Sequence, residues 1–76
     1  MGEAATLRKL GKRIRSQRKL IGVTQEALAL VANVDRSYYG AVERGERNAT
    51  FNVLCRLCIA LQCDVAKLTN SLPLQE

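Results

Sequence analysis

Two helix-capping residues, Thr24 and Asp35, lie eleven positions apart and divide the middle of the chain into two short segments. Side chains of this type accept a hydrogen bond from the free backbone N–H groups of a helix's first turn. Helical patterning after each cap predicts helices over about 25–32 and about 36–43. Asn33 lies between them, and asparagine tolerates a positive φ well enough to end a helix and redirect the chain. The stretch is therefore expected to form two short helices joined by a tight turn.

The second of these helices is expected to have two different faces. Tyr39 and Val42 are three residues apart and share the inner face. The outward face comprises Arg36, Ser37, Gly40, Ala41 and Arg44. A small, basic face suits a groove lined with phosphates, because bulk would block insertion and positive charge is attracted. On the preceding helix, Ala27, Leu28 and Val31 are predicted to form the apolar side.

Positions spread from about Leu10 to Leu68 carry a resemblance to a known family. They are Arg18, Thr24–Gln25, Leu28–Ala29, the Val34 to Val42 pattern, the Glu43–Arg44–Gly45 corner, and Leu54, Leu57 and Leu61. This set resembles the Cro/CI-type (XRE-like) helix-turn-helix regulators, whose small members include restriction-modification controller proteins, phage repressors and antitoxin regulators. Asn33 and Gln62 stand where that family commonly has glycine, and Ala49 where it commonly has proline. The resemblance implies an all-α, compact five-helix domain with the helix-turn-helix at helices 2 and 3.

Helices outside the central stretch follow from further caps. Thr6 is expected to cap a first helix that runs to about Leu20, which leaves residues 1–5 as a flexible N-terminal arm. Thr50 and Asp64 are predicted to cap the fourth and fifth helices.

The chain has 76 residues, which allows one domain of marginal stability, because a chain of this size buries only about 60% of its unfolded surface. We assign residues 6–76 to a single helix-turn-helix domain with a C-terminal dimerisation segment. Val65, Leu68, Leu72 and Leu74 are expected to form a homodimer interface, because the tail is more apolar than a solvated end should be. The alternative is a tail that folds back on its own domain.

The charge balance favours a polyanionic partner. Twelve basic and seven acidic residues give a net charge of +5 and a pI near 9.6. Seven of the basic residues lie between Arg8 and Lys19, a span that contains no acid. Direct phosphate contact and a solvated helix face both account for this run.

The cysteines and the missing histidine argue against metal, cofactor and enzyme chemistry. Cys55 and Cys58 form a C-x-x-C motif, but a structural zinc site needs a second ligand pair that Cys63 alone cannot supply. We interpret Cys58 as a small buried thiol, and a redox role stays open for Cys55. Neither a histidine nor a glycine-rich phosphate loop is present, so no enzyme is expected. An odd cysteine count without a secretory signal or membrane span predicts a cytoplasmic protein.

Functional roles follow from how a recognition helix docks, with its N-terminal residues on base edges and the preceding helix across the backbone. The predicted base-reading residues are Arg36, Ser37, Gly40 and Ala41. The predicted DNA-backbone contacts are Gln25, Tyr38, Arg44, Arg47 and Asn48, and simple packing is the alternative for Tyr38. An inward-facing Arg18 needs a partner, and the resemblance implies a structural ion pair with Glu43.

The sequence therefore predicts a DNA-binding transcriptional regulator that recognises a (pseudo)palindromic operator as a homodimer. Two half-sites about one helical turn, roughly 34 Å, apart are expected, because one domain reads too few base pairs. RNA polymerase is a candidate further partner. The alternative function is a protein-interaction adaptor, for example an anti-regulator, built on the same fold.

Overall fold

The computed structural model describes residues 2–75, and the regular structure in this range is helical. The helices are α1 (Gly2–Leu20), α2 (Gln25–Ala32), α3 (Arg36–Glu43), α4 (Phe51–Leu61) and α5 (Val65–Thr69). The predicted all-α, five-helix fold is confirmed, and α2 and α3 have the predicted bounds.

Four helices begin at the predicted caps. The side chains of Thr24, Asp35, Thr50 and Asp64 each accept a hydrogen bond of 2.9–3.1 Å from the backbone N–H three residues further on. Each such bond satisfies one of the donors that a helix start leaves unpaired. The starts of α2 to α5 are therefore fixed by contacts within one turn of chain.

The connections after α2 and α4 use residues with positive φ. Asn33 has φ 58° and Gln62 has φ 62°, both in the left-handed region that favours glycine. The N–H of Val34 donates to the carbonyl of Ala29 at 3.0 Å, which pairs a carbonyl that the helix end leaves free. Asparagine and glutamine thus perform the chain reversal for which the resembled family commonly uses glycine.

The N-terminal arm predicted for residues 1–5 is wrong for residues 2–5. These residues belong to α1, which begins at Gly2 and not at a Thr6 cap; Met1 lies outside the described residues. Glutamate and alanine are good helix formers, and Glu3 lies in the first turn, where a carboxylate is favoured by the helix dipole. The Thr6 hydroxyl instead accepts a hydrogen bond of 2.9 Å from the N–H of Leu74.

One hydrophobic core joins all five helices. Its fully buried side chains include Ile14 of α1, Leu28 of α2, Tyr39 of α3, Leu57 and Leu61 of α4, and Leu68 of α5. The predicted apolar side of α2 is partly wrong. Leu28 is buried together with Ala29 and Ala32, whereas Ala27 and Val31 are exposed. Packing against α3 and α4 selects that side of an almost wholly apolar helix.

Gly11 allows α1 to cross the end of α3 at very short range. A Cβ at this position would lie 2.2 Å from the carbonyl oxygen of Glu43. This close packing fixes α1 against the helix-turn-helix.

The predicted dimer interface is not a shared exposed surface. Leu68 is only 1% exposed in the core of its own chain, and Val65 is half-buried against that core. The tail lies along the start of α1, where Pro73 and Leu74 line a groove with Thr6 and Leu7 of that helix. Within this chain the tail thus packs on its own domain, and the role of these residues in a homodimer stays a prediction. No helix within residues 2–75 is long and apolar enough to cross a membrane.

Candidate nucleic-acid interface

The carboxylate of Glu43 lies at the centre of a buried network that joins α1, α2 and α3. Arg18 donates to it from Nε at 2.6 Å and from a terminal nitrogen at 3.2 Å, which forms the ion pair that the sequence predicted. The Tyr39 hydroxyl and the Gln25 side-chain amide also donate to it, the latter at 2.8 Å. Arg18 further donates to the carbonyl of Val23 at 3.0 Å. Two buried opposite charges are thereby paired, as burial requires.

The network shifts the pKa values of its members in directions that favour the ion pair. Burial by itself would raise the pKa of Glu43, but hydrogen bonds from Arg18, Tyr39 and Gln25 outweigh it and hold the pKa below its usual value. The hydrogen bond to Glu43 raises the pKa of Arg18, against the effect of burial. Burial first, and then the hydrogen bond to Glu43, raise the pKa of Tyr39. Glu43 and Arg18 therefore stay charged and Tyr39 neutral near pH 7.

Gln25 is positioned by this network, which the sequence did not predict. As the first residue of α2, it lies where backbone N–H groups have no acceptor within the helix. Its amide nitrogen is bound to Glu43, and its amide oxygen points over Gly40 of α3. The side chain thus lies at the outer edge of the helix-turn-helix in a fixed orientation.

The outward face of α3 is close to the predicted one, with one correction. Arg36 and Ser37 are exposed, and Ala41 is half-buried. Gly40 is buried instead of exposed, because a terminal nitrogen from each of Arg36 and Arg44 lies 3.0 and 3.2 Å from where its Cβ would be. A residue without a side chain leaves a hollow, and long neighbouring side chains close it. The prediction that Gly40 is exposed is therefore wrong, and its role in base reading stays a prediction.

Tyr38, Arg47 and Asn48 form one cluster beside α3. The Tyr38 hydroxyl donates to the backbone carbonyl of Asn48, and the Arg47 guanidinium lies over the Tyr38 ring, 5.5 Å from its centroid. A cation over an aromatic face at this distance is attracted by the ring. Tyr38 is half-buried and holds the loop before α4 close to α3, and its contact with the DNA backbone stays a prediction.

Arg44 lies on the other side of α3, at its C-terminal cap. It forms an exposed ion pair with Glu46, with 3.0 Å between Nε and the carboxylate. Exposed pairs of this kind contribute only about 0–1 kcal/mol, so Arg44 can exchange Glu46 for another anion at small cost.

The sequence placed Arg18 of α1 in the site and left direct phosphate contact open for the basic run, but it did not single out which residues of that run lie beside the helix-turn-helix. Arg8, Lys12 and Arg15 line a groove of about 450 Å³ together with Gln25 and Arg44. The run of basic residues was visible in the sequence, but the side of α1 on which the helix-turn-helix lies was not.

The three cysteines are unpaired and lie on or after α4, away from this face. Cys58 is buried, as predicted, and burial raises the pKa of its thiol to about 12. Cys55 is half-buried. Within residues 2–75 no group of three or more histidine, cysteine or acidic side chains is placed to hold a metal ion.

Comparison with known proteins agrees with this geometry. Residues 14–68 match the helix-turn-helix family HTH_3. The control protein C.SmaI of Serratia marcescens is 42% identical over 59 residues, which is 78% of this chain and 70% of that protein. The crystal structure of the restriction-modification controller protein C.AhdI from Aeromonas hydrophila is 42% identical, with a TM-score of 0.82 over 84% of this chain and 97% of that one. The clp gene regulator ClgR from C. glutamicum is 33% identical, with a TM-score of 0.80 over 83% and 81%. This chain belongs to the Cro/CI-type (XRE-like) helix-turn-helix family of DNA-binding transcriptional regulators.

Proposed function

We propose that the protein is a sequence-specific regulator that inserts α3 into the major groove of a (pseudo)palindromic operator, as one half of a homodimer. The observation that carries this proposal is the arrangement around α3. Exposed Arg36 and Ser37 lie at its N-terminal end, between Gln25 and Arg44 on one side and the Arg47 cluster on the other. The names of the controller proteins favour the genes of a restriction-modification system as targets. The proposed place of action is the cytoplasm, where the protein would bind DNA.

Base reading is assigned to the outward face of α3. Arg36 can donate two hydrogen bonds to O6 and N7 of guanine, which contributes about 1–3 kcal/mol of discrimination. Ser37 and Ala41 add a hydroxyl and a methyl group that fit against neighbouring base edges. Arg36 leaves the hollow over Gly40 when it does so, and the small residue then lets α3 approach the base edges closely.

Phosphate contacts are assigned to the two sides of α3. Gln25 and the free N–H groups at the start of α2 hold one phosphate, since a helix N-terminus attracts anions. Arg44 lies beside Gln25, and Arg47 and Asn48 serve the opposite side. These contacts fix the register of α3 without reading sequence.

A second copy is proposed to dock on α4. Phe51 and Ile59 are 67% and 78% exposed, and with half-buried Cys55 between them they form one outward stripe at four-residue spacing. Large exposed apolar groups on one face mark an interaction site. The start of α4 follows the loop held against α3 by Tyr38, so two copies joined here keep their recognition helices near each other.

Selection of bound fragments from random duplexes, followed by two single variants, tests base and phosphate roles. Arg36→Ala should relax preference at one base pair per half-site. Arg47→Ala should weaken all sequences alike and flatten the salt slope by about one. Sequence preference that survives Arg36→Ala unchanged would overturn the placement of α3.

Sedimentation equilibrium tests the α4 surface. Phe51→Glu should make the protein monomeric at concentrations where the unmodified chain is a dimer. Leu20→Glu is the matched control, because Leu20 is 74% exposed at the end of α1 and does not belong to the α4 stripe. Equal dissociation by both variants, or by neither, contradicts this interface.

A further inference from the structure

Four basic residues form a straight row along α1, and we call Arg8, Lys12, Arg15 and Lys19 the basic stripe. Their spacing of four, three and four residues puts them within an arc of about 60° on a helix with 100° per residue. All four are exposed, and the row is about 16 Å long at 1.5 Å per residue. This is a linear array of positive charge and not a scattered solvated face.

No residue of the basic stripe forms an ion pair in the part of the chain that the structure describes; Glu43 lines the same groove, but Arg18 pairs with its carboxylate. Among residues 2–75 the ion pairs are Arg18 with Glu43 and Arg44 with Glu46, and neither involves the stripe. Like charges at i,i+4 destabilise a helix by about 0.2–0.5 kcal/mol per pair. The stripe contains two such pairs, so it weakens α1 in the isolated chain. An external polyanion would remove this cost.

The stripe is continuous with the side of α3 that carries Gln25 and Arg44. Arg8, Lys12 and Arg15 line the same groove as these two residues. The contact is close, because a Cβ on Gly45, directly after Arg44, would lie 2.7 Å from the Cα of Arg8. A strand whose phosphates lie against Gln25 and Arg44 therefore passes the edge of α1.

We propose that the basic stripe is a second phosphate-binding surface, which takes the duplex backbone beyond the phosphates held by Gln25 and Arg44. This inference rests on the proposed function, since it uses the same docking of α3. The stripe lengthens the footprint on DNA and adds affinity without adding sequence preference. An acidic protein surface is the competing occupant, and a stripe that serves it would leave the salt dependence of duplex binding unchanged.

The test is the salt dependence of binding to a mixed-sequence duplex of about 30 base pairs, a length that covers two half-sites. Fluorescence anisotropy is measured from low to moderate salt for the unmodified protein, for Arg8→Gln/Arg15→Gln, and for Lys9→Gln/Lys67→Gln. The last pair is the matched control, because its two substitutions remove the same charge. Lys9 and Lys67 are exposed and line a different groove, between α1 and α5. Thermal melts by circular dichroism verify that all three proteins are folded.

The stripe variant should lower the slope of log affinity against log salt by about 1.8, at about 0.9 per lost phosphate contact. Its affinity at 0.1 M salt should fall about 60-fold if affinity extrapolated to 1 M is unchanged. The control pair should keep the slope of the unmodified protein. Equal slopes for the two variants overturn the stripe proposal and leave the proposed function standing. If the unmodified protein binds no duplex at low salt, the proposed function fails and the stripe proposal fails with it.

Discussion

Substitution of Glu43 by glutamine tests whether the buried network stabilises the fold. Glutamine preserves shape but removes the charge and replaces one acceptor oxygen with a donor. That donor then faces groups that already donate, namely Arg18, Tyr39 and Gln25. The Arg18 guanidinium is left buried without its counter-charge. Breaking a buried pair in this way costs about 3–5 kcal/mol.

That cost is large relative to the stability of so small a domain. Folded domains gain about 0.05–0.15 kcal/mol per residue, which gives about 4–11 kcal/mol for 76 residues. Glu43→Gln should therefore lower the urea midpoint by about 3–5 M at an m value of about 1 kcal/mol per M, or abolish the folded baseline. Glu46→Gln is the matched control. It breaks only the exposed pair with Arg44, so its cost should stay below about 1 kcal/mol.

The variant Glu43→Gln also gives a test by pH. The pKa of Glu43 is lower in the folded chain than its unfolded value of about 4.3. The contribution of the Glu43 charge to the free energy of unfolding is therefore fully present above that unfolded pKa. It is lost as pH falls through the folded pKa. The stability difference between the unmodified chain and Glu43→Gln should shrink as pH is lowered below about 4. A difference under about 1 kcal/mol at pH 7, or one that does not change with pH, refutes the reasoning.

Three further substitutions or modifications test local features. Gly11→Ala should lower Tm by about 10 °C, because the added methyl group would lie 2.2 Å from the Glu43 carbonyl oxygen. The cost of this overpacking exceeds the gain of about 1 kcal/mol in helix propensity that alanine brings. An unchanged Tm would contradict the close crossing of α1 and α3. Gln62→Gly should raise stability by about 1 kcal/mol in urea unfolding, since glycine adopts φ 62° without strain; a loss would mean that backbone entropy dominates. Iodoacetamide should modify half-buried Cys55 before Cys58, whose thiol is buried with a pKa raised to about 12; mass spectrometry of the native protein checks the order.

The candidate site shows which roles a sequence can assign. Arg18 could be paired in advance, because a charge on an apolar stripe needs a partner and the family pattern supplies Glu43. The attachment of Gln25 to that pair was not predictable, since nothing in the local sequence links the start of α2 to the end of α3. Gly40 was predicted on the correct face of α3. Whether it is exposed depends on the side-chain conformations of Arg36 and Arg44, which lie over it. Side-chain conformation across elements is a tertiary property.

The sequence by itself determined where most helices begin and end. Caps such as Thr24 and Asp35 act through hydrogen bonds that span three residues, so their effect is local and can be read from the chain. Tertiary structure decided which apolar residues are buried. Val31 and Leu68 are both aliphatic residues that were predicted to face inward, yet Val31 is exposed and Leu68 lies in the core. Burial depends on contacts between segments far apart in the chain, and periodicity alone does not contain them.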